Sequence, residues 1–117
     1  MNVDDLGECV KKIFDKPSEY KSKIVEVAGD QLKGAEIADV MNKHLKPNKF
    51  TYANISLEKY RTFGFAGVEE FANMFEYFQS GKMKRDIGLT KKLNPNTLSF
   101  SDWMAKNKET ILKNLPV

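Results

Sequence analysis

The chain has 117 residues, of which 41% are hydrophobic and 30% charged, and a net charge of +3. This bounds one domain with a single core and excludes disorder and fibrous repeats. Short apolar runs, an acidic start "MNVDDLGECV" and a single cysteine, Cys9, argue against a membrane span, a secretory leader and an internal disulfide. The expectation is a reducing compartment, the cytoplasm or also the nucleus.

In chain order, "VDDLGECVKKIFDKP" places Leu6, Val10, Ile13 and Phe14 at helical spacing, with Cys9 beside them on the side of Leu6 and Ile13. Asp4 can cap this segment and Pro17 stops it, which predicts a helix over about residues 4–15. "SKIVEVAGD" then concentrates Ile24, Val25 and Val27 before Gly29 and Asp30, and such a β-branched run reads as a strand. A second amphipathic helix, over about 34–45, carries Ile37, Val40, Met41 and Leu45 and ends before Pro47. "KFTYANI", residues 49–55, alternates Phe50, Tyr52 and Asn54 with Thr51, Ala53 and Ile55, and reads as a second strand.

From Ser56 onward the pattern is helical. Ser56 can cap a short helix bearing Leu57, Tyr60 and Phe63, and the glycines of "GFAG" interrupt it before an aromatic helix over about 68–80. Asp86 opens another helix, with Ile87, Leu89 and Leu93 inside it and Asn94-Pro95 as its stop. Ser99 and Asp102 stand at capping-box spacing before Phe100, Trp103, Met104, Ile111, Leu112 and Leu115. Two short strands and about six helices result. A lone parallel pair leaves both edges open, so the pair is expected to join a sheet completed by a larger α/β unit or by a second copy of the chain.

Chemistry-bearing groups are sparse. His44 has no Cys, Asp or Glu at metal-ligand spacing and fits the C-terminal end of a helix. Cys9 follows acidic Glu8, which raises a thiol pKa and argues against a reactive thiolate. The pairs Asp4-Asp5 and Glu69-Glu70 diverge on a helix and cannot form a two-carboxylate device alone. "GFAG" follows a helix where a dinucleotide fingerprint needs a strand, and neither a P-loop nor a nucleophile elbow occurs. Residues 82–117 hold eight Lys/Arg against three Asp/Glu, yet the basic residues alternate with apolar helix positions. That disfavours nucleic acid as a partner. No catalytic constellation is present, so the chain is expected not to be an enzyme and to hold neither a metal nor a cofactor by itself.

"VDDLGECVKKIFDKPSEYKSKIVEVAGDQLKGAEIADVMNK", "SLEKYRTFGFAGVEEFANMFEYFQ" and "RDIGLTKKLNPNTLSFSDWMAKNK" together resemble the C-terminal part of the NmrA-like family. These are NAD(P)-binding, Rossmann-fold relatives of the extended short-chain dehydrogenases, several of which act as redox-sensing regulators without catalysis. "GFAGVEEFANMF" and "RDIGLTKKLNP", with Trp103, Asn107 and Lys108, are the most specific pieces. The resemblance implies that residues 1–117 form the substrate- or partner-side subdomain of an α/β, Rossmann-like fold. The N-terminal Rossmann half, with its Gly-rich phosphate loop, would lie outside this chain. NADP would then be bound by a full-length parent and not by these residues.

Relatives usually place Thr or Ser before the "EIA" helix, where this chain has Lys33-Gly34, and Gly88 interrupts "RDIGLT". Phe71, Met74, Phe75 and Phe78 share one helical face, with Tyr60, Phe63 and Phe65 leading into it. They are either ordinary core or the lining of an inter-domain cleft or protein contact. The implied function is non-enzymatic regulation through protein contacts, a second copy included, within an NADPH-sensing protein. The competing reading is the substrate-binding half of an NAD(P)-dependent reductase.

Overall fold

A computed structural model describes residues 1–115 of the chain and contains seven helices among them. They are α1 (Val3–Phe14), α2 (Pro17–Tyr20), α3 (Gly34–His44), α4 (Leu57–Arg61), α5 (Val68–Gln79), α6 (Ile87–Leu93) and α7 (Phe100–Asn114). Two units divide the chain. One holds residues 1–52 and those from Arg85 on, and the other holds Ala53–Lys84.

In the larger unit, α1 packs on α2 and α6, and α3 packs on α7. Its buried apolar side chains are Cys9, Ala38, Leu45, Leu93 and Met104. Among them runs a polar seam. Asp5, Thr90, Asn94 and Thr97 are all buried and all hydrogen-bonded. The Asp5 carboxylate accepts the Leu98 N–H at 3.1 Å, and Asn94 Nδ2 donates to the Asp5 carbonyl at 3.3 Å. Thr90 Oγ1 accepts the Ala28 N–H at 2.9 Å and donates to the Asp86 carbonyl at 3.2 Å. Thr90→Val therefore strands the Ala28 amide and is expected to cost about 1.5 kcal/mol in a urea titration. A loss below about 0.3 kcal/mol would show that water reaches that amide instead.

The helix caps follow from sequence. Ser56 accepts the Lys59 N–H, Asp86 the Leu89 N–H and Ser99 the Asp102 N–H. Asp4 does not cap α1, whose N-cap is Asn2 without a side-chain bond. Lys33 offers no acceptor at the start of α3, but Glu36 Oε2 reaches back to the Lys33 N–H at 2.6 Å and satisfies one end donor. The ring of Tyr52, itself exposed, lies against Gly34. A Cβ added there would require that ring to shift.

One helix was not foreseen. Pro17 ends α1, and the same residue opens α2 at its first position, where the missing N–H costs nothing.

The α/β class with two short strands is overturned, since no strand forms among the described residues. A β-branched run lowers the cost of extended backbone, but a strand exists only where a second backbone supplies its ladder. Here helix side chains occupy that place. Thr90 of α6 takes the Ala28 N–H, and Asn42 of α3 takes the Phe50 N–H while donating to the Phe50 carbonyl, both at 2.8 Å. Ile24, the head of the supposed first strand, is 94% exposed. The unpaired-sheet argument for a completing partner falls with the strands.

Helix α1 also turns differently from expectation. Asp5 and Cys9 face inward, whereas Val3, Leu6, Val10 and Phe14 form an exposed apolar stripe. Periodicity marked both adjoining faces, and the bonds made by Asp5 select which one is buried.

In the smaller unit, α4 packs on α5, and Ala72 is the buried residue of α5. Gly67, with φ +84°, is the N-cap of α5 and adopts the left-handed conformation that the turn requires.

Candidate functional site

The aromatic residues singled out in the sequence do gather in the smaller unit. Tyr60 of α4 lies edge-on to Phe75 of α5 with ring centroids 5.3 Å apart, and edge-on to Phe65 at 6.0 Å. Phe63 tilts against Tyr60 at 5.4 Å, Phe65 against Phe71 at 6.0 Å, and Phe78 meets Phe75 at 6.4 Å. These separations suit quadrupole-matched aromatic pairs.

The cluster is open to solvent on one side. Phe71 is 47% exposed, Phe78 45% and Phe75 37%, and Met74 is comparably open. The opposite flank is held by Arg61. Its guanidinium reaches Glu69 and Glu76 at 3.1 Å and Asn73 at 3.2 Å, which draws α4 and α5 together. The hydrogen bonds that Arg61 donates to Glu76 and Glu69 push its pKa above the ordinary value. Polar groups thus bind the two helices on one side, and the apolar side faces outward.

A second feature, in the larger unit, was not foreseen. An open cleft of about 600 Å³ lies between the chain start, residues 29–37 and the first turn of α7. Leu32, Ile37, Leu98, Phe100 and Trp103 supply apolar walls, and Asn2, Asp30 and Ser99 supply polar side chains. Gly29 permits the close approach on which the cleft depends. A Cβ there would lie 3.2 Å from the Leu98 carbonyl oxygen and 3.3 Å from Met1 Cα.

Asp30 is the hinge of this geometry. Its Oδ2 accepts the Phe100 N–H at 2.9 Å, and its Oδ1 accepts the Gln31 N–H at 2.8 Å. The carboxylate thereby satisfies one of the end donors of α7 and balances the positive end of that helix. Three segments far apart in sequence build the cleft, so no local spacing could have revealed it. The only trace was that "AGD" and "SFSDW" carry its residues.

His44 does more than close α3. Its Nε2 lies 2.9 Å from Ser101 Oγ, which pins α3 to α7. A serine-histidine pair used in nucleophilic catalysis also needs an acceptor that orients the other ring nitrogen and donors for an oxyanion. His44 has no further side-chain partner among the described residues. Cys9 is fully buried, and burial, with Asp5 and Glu8 nearby, raises its thiol pKa, which keeps it a packing residue.

Among the described residues no three His, Cys, Asp or Glu side chains converge as a metal site, and no helix is long and apolar enough to cross a membrane. The Gly64–Gly67 turn is not a dinucleotide cradle. It leads into α5 from α4 and not from a strand, so it lacks the strand-turn-helix that presents backbone amides to a pyrophosphate.

Among the described residues the fold is helical, with an exposed aromatic helix face in the smaller unit and an apolar cleft in the larger. The NmrA-like family model matches residues 1–105, and the chain belongs to that family.

Proposed function

We propose that this chain is the protein-interaction portion of an NmrA-like regulator, acting by contact and not by catalysis. The observation that carries this reading is the outward face of α5. Phe71, Met74, Phe75 and Phe78 stand exposed on one side of a helix whose other side is fastened by Arg61. Aromatic residues and Met are the side chains most enriched at protein contacts, and a contiguous apolar patch usually marks one. The stripe of Val3, Leu6, Val10 and Phe14 on α1 adds a second surface of the same kind.

In this reading NADP is sensed by other residues of a full-length protein, and this portion passes the cofactor's occupancy to a partner. Titrating NADPH into the chain by calorimetry is expected to give no saturable heat. A micromolar dissociation constant would place cofactor recognition within these residues and overturn the division of labour.

The cleft beside Trp103 favours a second reading, the substrate-binding half of an NAD(P)-dependent reductase of the short-chain type. Substrate-dependent oxidation of NADPH by a full-length protein would decide for it.

A further inference from the structure

We infer that the cleft of the larger unit is a binding site for a small apolar molecule carrying a primary ammonium group. The inference is independent of the α5 face, because it rests on other residues in a separate unit.

The cleft has the volume of an ordinary small-molecule site, which spans roughly 300 to 1,000 Å³. Its walls fix the apolar part of the ligand. Leu32, Ile37 and Leu98 are aliphatic, while Phe100 and Trp103 are aromatic. Such a lining binds a hydrocarbon or aryl body without specifying its direction.

Asp30 specifies direction. A carboxylate has about four lone-pair sites, and the amides of Phe100 and Gln31 occupy one on each oxygen. The remaining sites belong to a carboxylate already held in place by the first turn of α7, so it meets a donor without reorganising. The other polar residues of the lining are Asn2, whose Nδ2 is turned to Asp4 Oδ2 at 3.5 Å, and Ser99, whose hydroxyl is committed to the Asp102 carboxylate at 2.6 Å. The Ser99 hydroxyl therefore adds no free donor that would favour an anion.

Trp103 reinforces the sign of the preference. An indole face attracts a cation more strongly than other aromatic rings, and Trp103 lines the same cleft as Asp30. A carboxylate ligand would meet like charge at Asp30, and an alcohol would leave its attraction unused.

The test uses the chain's own reporter, because Trp103 is its sole tryptophan. Phenylbutylamine, phenylbutanol and phenylbutyrate share one shape and differ in charge. Each is titrated while Trp103 emission is recorded. The amine is expected to bind about ten-fold more tightly than the alcohol, and the carboxylate more weakly than either. Asp30→Asn keeps an acceptor for the Phe100 amide and should bring amine and alcohol to the same affinity. Should that variant fail to fold by circular dichroism, the order of the three probes on the unaltered chain decides by itself. Nα-acetyl-lysine amide separates the sources of an ammonium group. If it binds as tightly as phenylbutylamine, the occupant is a protein lysine and the small-molecule assignment is wrong. No emission change with any probe at millimolar concentration, or an order that does not follow charge, overturns the site.

Discussion

Leu45→Ala is expected to lower the stability of the larger unit by about 2 to 5 kcal/mol, the usual cost of a cavity left by a fully buried leucine. Leu45 is 0% exposed and ends α3, where its N–H bonds the Met41 carbonyl at 2.8 Å and its carbonyl accepts the Asn48 N–H at 3.0 Å. Alanine keeps both backbone bonds, so the loss measures packing alone. The matched control is Ile24→Ala. Ile24 removes a similar volume from the chain but stands in solvent, and its truncation is expected to change stability by less than about 0.5 kcal/mol in the same guanidinium titration.

The pair of variants also tests the absence of the first strand. If Ile24→Ala costs as much as Leu45→Ala, then the segment 24–27 is buried in solution, and the strand reading returns. If only Leu45 matters, the β-branched run is a connector whose amide at Ala28 is held by Thr90.

These two residues show where sequence reasoning succeeds. Helices were legible because their ends carry local chemistry: Ser56, Asp86 and Ser99 at N-caps, and Pro17 and Pro95 at stops. Strands were not, because a ladder is a property of two segments. Ile24, Val25 and Val27 announce extended backbone and leave open whether anything will pair with it. In this chain Asn42 and Thr90 provide the missing bonds, and neither was marked by periodicity. Pro17 shows a milder failure of the same kind, since one residue served as both the end of α1 and the beginning of α2.

The candidate sites divide along the same line. A helical wheel places Phe71, Met74, Phe75 and Phe78 on one face, and the structure keeps them there. Whether that face is covered depends on its neighbours, which the wheel does not contain. On α1 the consequence was a shift of face, with Cys9 inward and Leu6, Val10 and Phe14 outward. The cleft lay beyond reach altogether, because Asp30 and Phe100 meet across 70 residues of sequence. His44 and Ser101 do so across 57.

Phe75→Ala and Phe78→Ala should separate structural from outward-facing aromatics within α5. Phe75 is the least exposed of the four, edge-on to Tyr60 across the α4–α5 contact, and its loss removes burial and the ring pairs with Tyr60 and Phe78. Amide exchange in α5 should report about 2 kcal/mol less protection, below the 3 to 5 kcal/mol of a fully buried phenylalanine because the ring is partly open. Phe78 touches only the rings of Phe75 and Tyr77 among the aromatic contacts and stands nearly half exposed. Its truncation should cost under about 1 kcal/mol of protection while reducing the binding of a hydrophobic dye such as anilinonaphthalene sulfonate. The two variants therefore move different observables. If both cost as much as a buried core residue, the face is covered in solution and the interaction surface proposed for α5 does not exist. If Phe75 alone carries stability, the Phe78 ring adds little to its own unit, and a contact outside it is what its exposure and chemistry fit.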